Sequence, residues 1–435
     1  QVQVVDLPEG SIPVLLTEAD VIIDAIYGTG LREKLNDRIS ELVKFINGRN
    51  PFVVSIDVPT GLDVNTGYPI GKKGLAVRAD LTVTFGLAKP GFFIGYGAKY
   101  VGQLKIQQIG FPKECLKKAS GTEFIFASAA ASLILPKRDI SSHKSKNGTV
   151  VVFGGSEEFP GAGILAARAA SRAGAGYVWL VNFSKSYQEA IQIPEVIIRQ
   201  YHQKIFEQIK KDAVLIVGPG LGVGQNTKNL ILELKKRKYA KVIIDADALT
   251  TCVQENLFPL PESWLITPHA GELARIVGMS AEELEQNRLQ SARLGAQKSG
   301  ALCIYKGFRT IVSDGIRNMI ILSGNPALSK AGCGDVLSGF IEAFYAQGLS
   351  ASKAACLGTY LHGRIADEWI RSGKDVISLI PSDLNENIGE LIKKHGIIGA
   401  AAGSLFVFKG KYKAVLINYP NRTEKDLLMS KNFKV

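Results

Sequence analysis

Short apolar runs bounded by turn residues recur along the whole chain, and each is followed by a segment with helical periodicity. In the first third, the runs at 21–25, 52–56 and 81–85 predict strands, and the pattern at 39–46 predicts a helix. Uninterrupted apolar strands that alternate with helices are typical of a mostly parallel sheet with helices on both faces. The later runs that predict strands lie at 150–153, 177–181, 214–217, 242–245, 264–267 and 302–306.

This pattern divides the chain into two α/β blocks. The second block begins near Phe124, and a polar, turn-rich stretch at 137–148 leads into its main strands. The total of 435 residues agrees with two or three domains at roughly 150 residues each. Because parallel sheets bind ligands at the carboxyl ends of their strands, the residues directly after each strand are the candidates for a site.

Composition and charge exclude several classes of protein. Hydrophobic residues make up 46% and charged residues 21% of the chain, which excludes a mainly disordered protein. The net charge is +12, but residues 396–435 hold seven basic and two acidic residues, so the remainder is only mildly basic. No nucleic-acid module is recognisable, and this charge favours phosphorylated small molecules over nucleic acid as partners.

Membrane proteins and disulfide frameworks are also disfavoured. An apolar run of roughly 18 residues would be needed to cross a membrane. The nearest run, at 397–408, is shorter and is interrupted by glycine. The five cysteines are scattered and odd in number, which favours the reducing cytoplasm.

The strongest chemical motif is the turn Gly332-Cys333-Gly334-Asp335, which precedes a predicted helix at 336–346. Its two glycines let several backbone N–H groups point at one spot, where the helix dipole adds positive charge. Such a turn can hold a phosphoryl group in transfer, with Asp335 placed to take a proton from an attacking hydroxyl. The alternative is a glycine turn with an Asp at an ordinary helix start.

Three more strand ends carry chemistry of the same kind. Residues 218–222 expose backbone N–H groups, and residues 267–272 present His269 together with a glutamate. Residues 306–310 offer the cation of Lys306 and a hydroxyl for a phosphate. His269 is also open to a purely structural role, and Lys306 to that of a solvated strand-end lysine. The sequence GxxxxGK[ST] does not occur, so the chain is not a P-loop enzyme.

Taken together and in this order, the motifs resemble the ribokinase-like domain of ADP/ATP-dependent NAD(P)H-hydrate dehydratases over about residues 124–395. Any single motif is weak, whereas the full set is specific. The further matching pieces are His143-Lys144 with Gly148, Gly154-Gly155-Ser156 with Pro160-Gly161-Ala162, Gly174-Ala175-Gly176, Asp245-Ala246-Asp247-Ala248-Leu249 and Asn325-Pro326.

The resemblance implies a reaction and its residues. Hydrated NADH or NADPH would be dehydrated through a phosphorylated intermediate, with ADP or ATP as donor, Mg²⁺ on the phosphates and Asp335 as the base. The family often has Thr at Cys333, and this thiol would be sensitive to oxidation if the helix start lowered its pKa. The implied substrate-binding residues are Ala162, Gly220, His269 and Asp335. The implied nucleotide-binding residues are Lys306, Gly307, Phe308, Arg309, Thr310, Asn325, Gly332, Cys333 and Gly334.

Residues 1–122 resemble the second half of NAD(P)H-hydrate epimerase, the domain usually fused in front of this dehydratase. By that resemblance Asp57 would act as acid or base in epimerisation at C6, and Asp24 and Thr60 would bind K⁺. The implied contacts to the substrate are Gly28, Thr29, Gly30, Leu31, Arg32 and Asp57. The match rests on the segments 21–31, 55–63, 77–85 and Lys89-Pro90-Gly91.

One departure concerns the front of this block. The family carries an Asn-Asn-Gly-Gly-Asp loop that binds phosphate and K⁺, and the sequence starts after the point where that loop would lie. We therefore expect an N-terminally incomplete epimerase domain, whose activity the sequence leaves open. Without the surrounding match, Asp57 is better explained as a cap of its Asp-x-Pro-Thr-Gly turn.

The expected fold class is α/β with two domains. They are an incomplete Rossmann-like parallel-sheet domain at 1–122 and a ribokinase-like three-layer α/β domain at 123–395, followed by a basic extension of unknown role at 396–435. We expect a cytoplasmic homo-oligomer that acts on NADH hydrate and NADPH hydrate. Two alternatives stay open: a small-molecule kinase of the ribokinase superfamily, for a vitamin precursor or a sugar, and a non-catalytic nucleotide-binding scaffold.

Overall fold

The strands of the described part of the chain form two separate sheets. One sheet has four strands and lies near the N-terminus, and the other has ten strands and belongs to the rest of the chain. The computed structural model describes residues 14–49, 51–71, 73–119, 121–139, 141–183 and 193–405. The basic segment 406–435, part of the predicted extension, lies outside these described residues.

The N-terminal unit is built on a parallel sheet. Its strands are β1 (Val21–Asp24), β2 (Phe52–Ile56), β3 (Leu81–Phe85) and β4 (Gln103–Gln107), in the spatial order β1-β2-β3-β4. Its helices are α1 (Val14–Glu18), α2 (Asp37–Gly48), α3 (Gly97–Val101) and α4 (Lys113–Ala119). Helix α2 begins where the Asn36 side chain accepts a hydrogen bond from the Ile39 N–H, and its apolar side packs on the sheet.

The C-terminal unit is built on the ten-stranded sheet. Its strands are β5 (Glu123–Phe126), β6 (Thr149–Phe153), β7 (Tyr177–Asn182), β8 (Ile197–Gln200), β9 (Val214–Val217), β10 (Val242–Ile244), β11 (Leu265–Ile266), β12 (Leu302–Tyr305), β13 (Ile311–Ser313) and β14 (Asn318–Ile321). Their spatial order is β5-β14-β13-β12-β11-β10-β9-β6-β7-β8. Strand β13 is antiparallel to both neighbours, and the other neighbouring pairs are parallel. The predicted mostly parallel sheet is therefore confirmed.

Helices cover both faces of this sheet. One face carries α5 (Ser128–Ile134), α6 (Pro160–Arg172), α12 (Cys333–Ala346), α13 (Ala351–Arg371) and α14 (Pro381–Leu405). The other carries α7 (Gln225–Lys236), α8 (Ala246–Gln254), α9 (Ala270–Val277), α10 (Ala281–Gln286) and α11 (Arg288–Ser299). Alternate strand residues feed the two cores, with Val150 and Val152 on one side and Val151 and Phe153 on the other. This three-layer arrangement confirms the expected α/β fold class.

Small residues let α12 approach α6 closely. A Cβ at Gly339 would lie only 2.2 Å from the carbonyl oxygen of Ala166, so no larger residue fits at this position. Ala166 and Ala169 are fully buried at the same contact. The close packing fixes the N-terminus of α12, where the turn at 332–335 lies.

Side chains of the two units are in contact. Phe93 and Ile94 of the N-terminal unit pack against the apolar core beneath α7 to α11. The Tyr68 hydroxyl donates a hydrogen bond to the carbonyl oxygen of Glu285, 3.4 Å away. Among the described helices, none combines the length and apolar character that crossing a bilayer requires.

Candidate active site

The turn that opens α12 places Asp335 in the first turn of the helix. Gly332 precedes the helix with a φ of 89°, a left-handed conformation that glycine adopts without strain. Burial raises the pKa of Asp335 to about 7, helped by the nearby carboxylates of Asp245 and Asp247 and opposed by Lys306. A carboxylate with a pKa close to neutral is suited to accept a proton during a reaction.

Lys306 follows β12 and reaches the same place. Its Nζ lies 3.1 Å from Oδ1 of Asp245 and 3.8 Å from Oε2 of Glu272. Burial opposes the charged form, but these two carboxylates outweigh it and raise the pKa of Lys306 above its ordinary value. A Cβ at Gly334 would lie 3.6 Å from this Nζ, so the ammonium lies against the glycine turn. Lys306 is therefore a paired cation and not a solvated strand-end lysine.

Asp245 holds this cluster together from the end of β10. It is 1% exposed, and its Oδ1 accepts a hydrogen bond of 2.9 Å from the Ala246 N–H at the start of α8. The Ser338 hydroxyl of α12 donates to Oδ2 at 2.7 Å. Burial alone would raise the pKa of Asp245, but the charge of Lys306 and the hydrogen bond from Ser338 help to hold it below its ordinary value. The two helices and the lysine are thus joined through one ionised carboxylate.

His269 caps helix α9, which is the structural role left open from the sequence. Its Nδ1 accepts hydrogen bonds from the N–H groups of Gly271 and Glu272, at 3.0 and 3.4 Å. The Glu272 carboxylate in turn accepts from the His269 N–H at 2.8 Å, which completes a capping box. The His269 side chain is 57% exposed, so its remaining edge is open to a ligand.

Two small residues of the predicted substrate site lie in contact. A Cβ at Gly220 would come within 2.9 Å of the Ala162 Cβ and 2.6 Å of the Phe159 carbonyl oxygen. Gly220 also has a φ of 61°, so the position is suited to glycine alone. The loop is held further on, where the Gly222 N–H donates to Asp247 at 2.9 Å. The structure therefore brings Ala162 and Gly220 together beside the end of β9.

A cavity of about 290 Å³ opens next to the α12 turn. Every predicted nucleotide-binding residue except Gly332 lines it. Residues that the sequence did not single out also line it, among them Ser323, Gly324, Thr359, His362 and Gly363. The loop after β12 and the loop after β14 thus meet the start of α12 at one cavity.

Two side chains of α13 hold the walls of this cavity. Asp367 accepts hydrogen bonds from the Gly324 N–H and the Asn325 side-chain amide, both at 3.1 Å. His362 is buried and contacts the carbonyl oxygen of Cys333 through Nε2 at 2.9 Å. Burial lowers the pKa of His362 to about 4, so the ring is neutral and donates this hydrogen bond. Burial also raises the pKa of Cys333, so the condition for an oxidation-sensitive thiol is not met.

In the N-terminal unit, Asp57 follows β2 with a φ of 66°. Its Oδ1 accepts from the Lys89 ammonium at 2.7 Å, the Thr84 hydroxyl at 3.2 Å and the Phe85 N–H at 3.3 Å. A Cβ at Gly28 would lie 3.5 Å from Oδ2, which points towards the predicted substrate loop. The carboxylate therefore faces β3 and Lys89, and its hydrogen bonds do not serve as a cap of its own turn.

Asp24 and Thr60 form a buried oxygen cluster beside this loop. The Thr60 hydroxyl donates to Asp24 Oδ1 at 2.6 Å, and its N–H donates to Oδ2 at 2.9 Å. Ser55 donates to the same Oδ2 at 2.8 Å. Nearby, Arg32 folds back on its own exposed loop and donates to the carbonyl oxygens of Thr29 and Leu31.

Comparison with known proteins covers both units. A family model described as NAD(P)H-hydrate dehydratase matches residues 150–389, more than half of the chain. Curated relatives named bifunctional NAD(P)H-hydrate repair enzyme are 34% identical in Thermofilum pendens and in Vibrio cholerae. The first alignment covers 80% of this chain and 68% of the relative, and the second covers 88% and 76%.

The chain belongs to the NAD(P)H-hydrate repair enzymes. A second family model, described as YjeF-related protein N-terminus, matches residues 3–91 of this repair enzyme. The solved ADP/ATP-dependent NAD(P)H-hydrate dehydratase of Bacillus subtilis, co-crystallised with ATP and Mg²⁺, is 25% identical with a TM-score of 0.55. It covers 62% of the repair enzyme and 98% of its own chain. A ribokinase-like protein of Enterococcus faecalis shares the fold, with a TM-score of 0.57 at 23% identity. This match covers 66% of the repair enzyme and 99% of the Enterococcus chain.

Several residues that build the repair enzyme's site were missed from the sequence. Asp245 and Asp247 belong to a motif that was recognised, yet no role was attached to them. The pairing of Lys306 with Asp245 joins residues 61 positions apart, which no local pattern reveals. Lys89 was recognised only as part of a matching segment, and its pairing with Asp57 spans 32 positions.

Proposed function

We propose that this repair enzyme restores NADH and NADPH from their hydrated forms, with ADP or ATP as the phosphoryl donor. The observation that carries the proposal is Asp335, a carboxylate with a pKa raised by burial to about 7, at the start of a helix beside a cavity that the predicted nucleotide-binding residues line. A group that titrates near neutral pH and lies at a helix N-terminus can accept a proton where phosphate charge is stabilised. The family membership of the chain supports the same reaction.

The nucleotide occupies the cavity between the loops after β12 and β14 in this proposal. Residues 306–310 and 325–334 bind it, and the Lys306 ammonium faces its terminal phosphate across Gly334. The backbone N–H groups of the α12 turn bind the phosphoryl oxygens as charge develops on them. The hydrated nicotinamide ring lies on the other side of Asp335, against Ala162, Gly220 and His269.

The proposed dehydration proceeds in two steps. Asp335 takes the proton of the C6 hydroxyl as that oxygen forms a bond to the terminal phosphorus, and the bond from phosphorus to the rest of the nucleotide breaks. Phosphate then leaves C6 with the electron pair of the C–O bond, pushed by the ring nitrogen. A water molecule takes a proton from C5, and the electron pair of that C–H bond forms the C5–C6 double bond and restores the dihydropyridine. Phosphate thus replaces hydroxide, which is a poor leaving group.

Mg²⁺ would shield and orient the phosphates when bound. In the described part of the chain, no group of three or more His, Cys, Asp or Glu side chains could hold a metal ion. The donors therefore fit a Mg²⁺ that the nucleotide phosphates largely ligate, with Asp247 as the protein carboxylate we propose to join them. For K⁺ we propose Asp24 and Thr60, whose clustered oxygens are the type of ligand that hard cations take.

For the N-terminal unit we propose epimerisation of the hydrate at C6. Asp57 acts as the acid or base, and its ion pair with Lys89 at 2.7 Å holds the carboxylate towards Gly28 and the loop at 28–32. Such an activity would convert the epimer that the C-terminal site does not use. We further propose that the protein works in the cytoplasm, which the five free cysteines favour, and as a homo-oligomer, which the exposed side chains of Val21, Ile23 and Phe52 favour.

The test incubates the protein with a mixture of both NADH-hydrate epimers, Mg²⁺ and either ADP or ATP. The absorbance of the reduced nicotinamide ring is measured over time. We expect the absorbance to return with at least one nucleotide, which also identifies the donor. Complete conversion would support the epimerase, and conversion of about half the mixture would mean that only the dehydratase is active. No return with either nucleotide would contradict the proposal and favour a kinase or a binding protein.

A further inference from the structure

Arg288 is a buried cation outside the residues assigned so far. It lies at the start of α11, and its side chain is 3% exposed. An arginine is rarely so deeply buried unless its charge is paired. Both terminal nitrogens of this guanidinium have partners, whereas its buried Nε has no hydrogen-bond partner among the described residues. Its partners therefore indicate what the residue is for.

The guanidinium of Arg288 lies against the point where the chain leaves β12. Its Nη2 donates to the carbonyl oxygens of Tyr305 and Lys306, at 3.3 and 3.5 Å. Its Cζ lies 4.1 Å from the centroid of the Tyr305 ring, a cation–π contact. Gly307 has a φ of 145°, and a Cβ there would come within 2.8 Å of Nη1, so a larger residue would be strained and would crowd the guanidinium.

Glu285 fixes the orientation of this guanidinium. Its Oε1 lies 2.5 Å from Nη1 of Arg288 and accepts a second hydrogen bond from the Tyr305 hydroxyl, also at 2.5 Å. The Glu285 carbonyl oxygen accepts from Tyr68 of the N-terminal unit. Arg288 is thus held on one side by α10 and on the other side holds the strand end that carries Lys306.

We propose that Arg288 is a positioning residue for the nucleotide. It fixes the backbone at 305–307, and this backbone sets where the Lys306 ammonium and the cavity-lining loop at 307–310 lie. The inference rests on the proposed function only in taking ADP or ATP as the occupant of the cavity. Arg288 itself does not line the cavity, so its effect on the nucleotide passes through the backbone that it holds.

The test measures the dissociation constants of ADP and ATP for the full chain, by calorimetry with Mg²⁺. We expect Arg288→Met, which keeps the volume but loses the hydrogen bonds, to weaken nucleotide binding roughly tenfold. Binding of NADPH, the reaction product, should change less than twofold. A purely structural role would lower the thermal midpoint without this difference between the two ligands.

Arg293→Met is the matched control, because Arg293 lies on the same helix and pairs with Glu123 and the Ile316 carbonyl, away from the cavity. It should lower the thermal midpoint and leave both dissociation constants unchanged. Arg288→Lys keeps the charge beside Glu285 and should recover part of the lost affinity. If Arg288→Met does not fold, Glu285→Gln is the second variant, because Glu285 is half-exposed. It should weaken nucleotide binding by a smaller factor and leave NADPH binding unchanged.

Two further results would overturn the inference, and they are distinguishable from each other. If the unaltered protein binds neither ADP nor ATP, the proposed function fails and the positioning role fails with it. If the unaltered protein binds nucleotide and neither Arg288→Met nor Glu285→Gln changes the affinity, only the role of Arg288 is wrong.

Discussion

Two aspartates carry the proposed chemistry, one in each unit, and their surroundings are opposite. Burial raises the pKa of Asp335 to about 7, with Asp245 and Asp247 adding to the effect and Lys306 opposing it. Asp57 instead pairs directly with the Lys89 ammonium at 2.7 Å and accepts a further hydrogen bond from Thr84. One carboxylate is crowded by like charges, and the other is held by an opposite charge.

This difference indicates how each unit uses its aspartate. Crowding and burial make the ionised form of Asp335 costly, so this group is ready to take a proton at neutral pH. The ion pair and the left-handed backbone of Asp57, with a φ of 66°, fix a carboxylate in one orientation. We therefore expect changes at the two positions to affect different steps, with effects of different size.

The largest effect is expected for Asp335→Asn. The change removes the base but leaves the N–H groups of the turn and Lys306, so turnover should fall by roughly 10²–10⁴-fold while ADP binding persists. Single-turnover kinetics and nucleotide calorimetry on the same preparation measure the two quantities. Asp212→Asn, at an exposed position, is the control and should be silent. Near-normal turnover of Asp335→Asn would show that the base lies elsewhere.

The second largest effect is expected for Asp57→Asn, which tests whether the two units act independently. Dehydration of the epimer that the C-terminal site accepts should be unchanged, because Asp57 lies in the other unit. After the spontaneous rate of epimerisation is subtracted, conversion of the second epimer should be roughly a hundredfold slower than with the parent chain. Following each epimer by chromatography measures both rates. An equal loss for both epimers would contradict independent sites, and a parent chain without epimerase activity would remove the comparison.

How far these two sites could be predicted depends on whether the information is local. The turn at 332–335 and the loop at 306–310 are continuous motifs, and the structure brings both to one cavity. The partners that tune them are distant in sequence, because Lys306 meets Asp245 only after the parallel strands β10 and β12 have assembled. No spacing rule connects such residues.

The fold shows the same division between local and non-local signals. Apolar strands such as β6 and β9 are visible in the sequence because both of their faces are buried. The strand β13 was missed because only two of its residues, Ile311 and Val312, are apolar, and polar residues and a glycine turn flank them. The glycines and aromatic residues at 87–102 predict a loop from the sequence, but helix α3 lies within this stretch. Helix α14 continues to Leu405, across the domain boundary predicted at 396.

The pH dependence of the dehydration rate tests the role of Asp335 directly. Because burial raises the pKa of Asp335 to about 7, the ionised base is scarce in acid. The kcat/KM of dehydration should therefore fall about tenfold per pH unit well below pH 7 and level off above it. Initial rates with the accepted epimer between pH 5 and 9 measure this limb. A flat profile across neutral pH would show that Asp335 is not the group whose ionisation limits the rate.

The smallest expected effect is on stability and follows from the same raised pKa. Since the folded pKa of Asp335 lies above the ordinary value of an aspartate, folding favours its protonated form. Ionisation therefore costs stability progressively as the pH rises from about 4 to 7, and the full cost persists above that. Asp335→Asn, which mimics the protonated group, should raise the thermal midpoint at pH 8 by roughly 2–4 °C and leave it unchanged at pH 4. Scanning fluorimetry at the two pH values measures the difference. A lower midpoint at pH 8 would mean that the charge of Asp335 stabilises the fold through Lys306, and the contrast with Asp57 would then disappear.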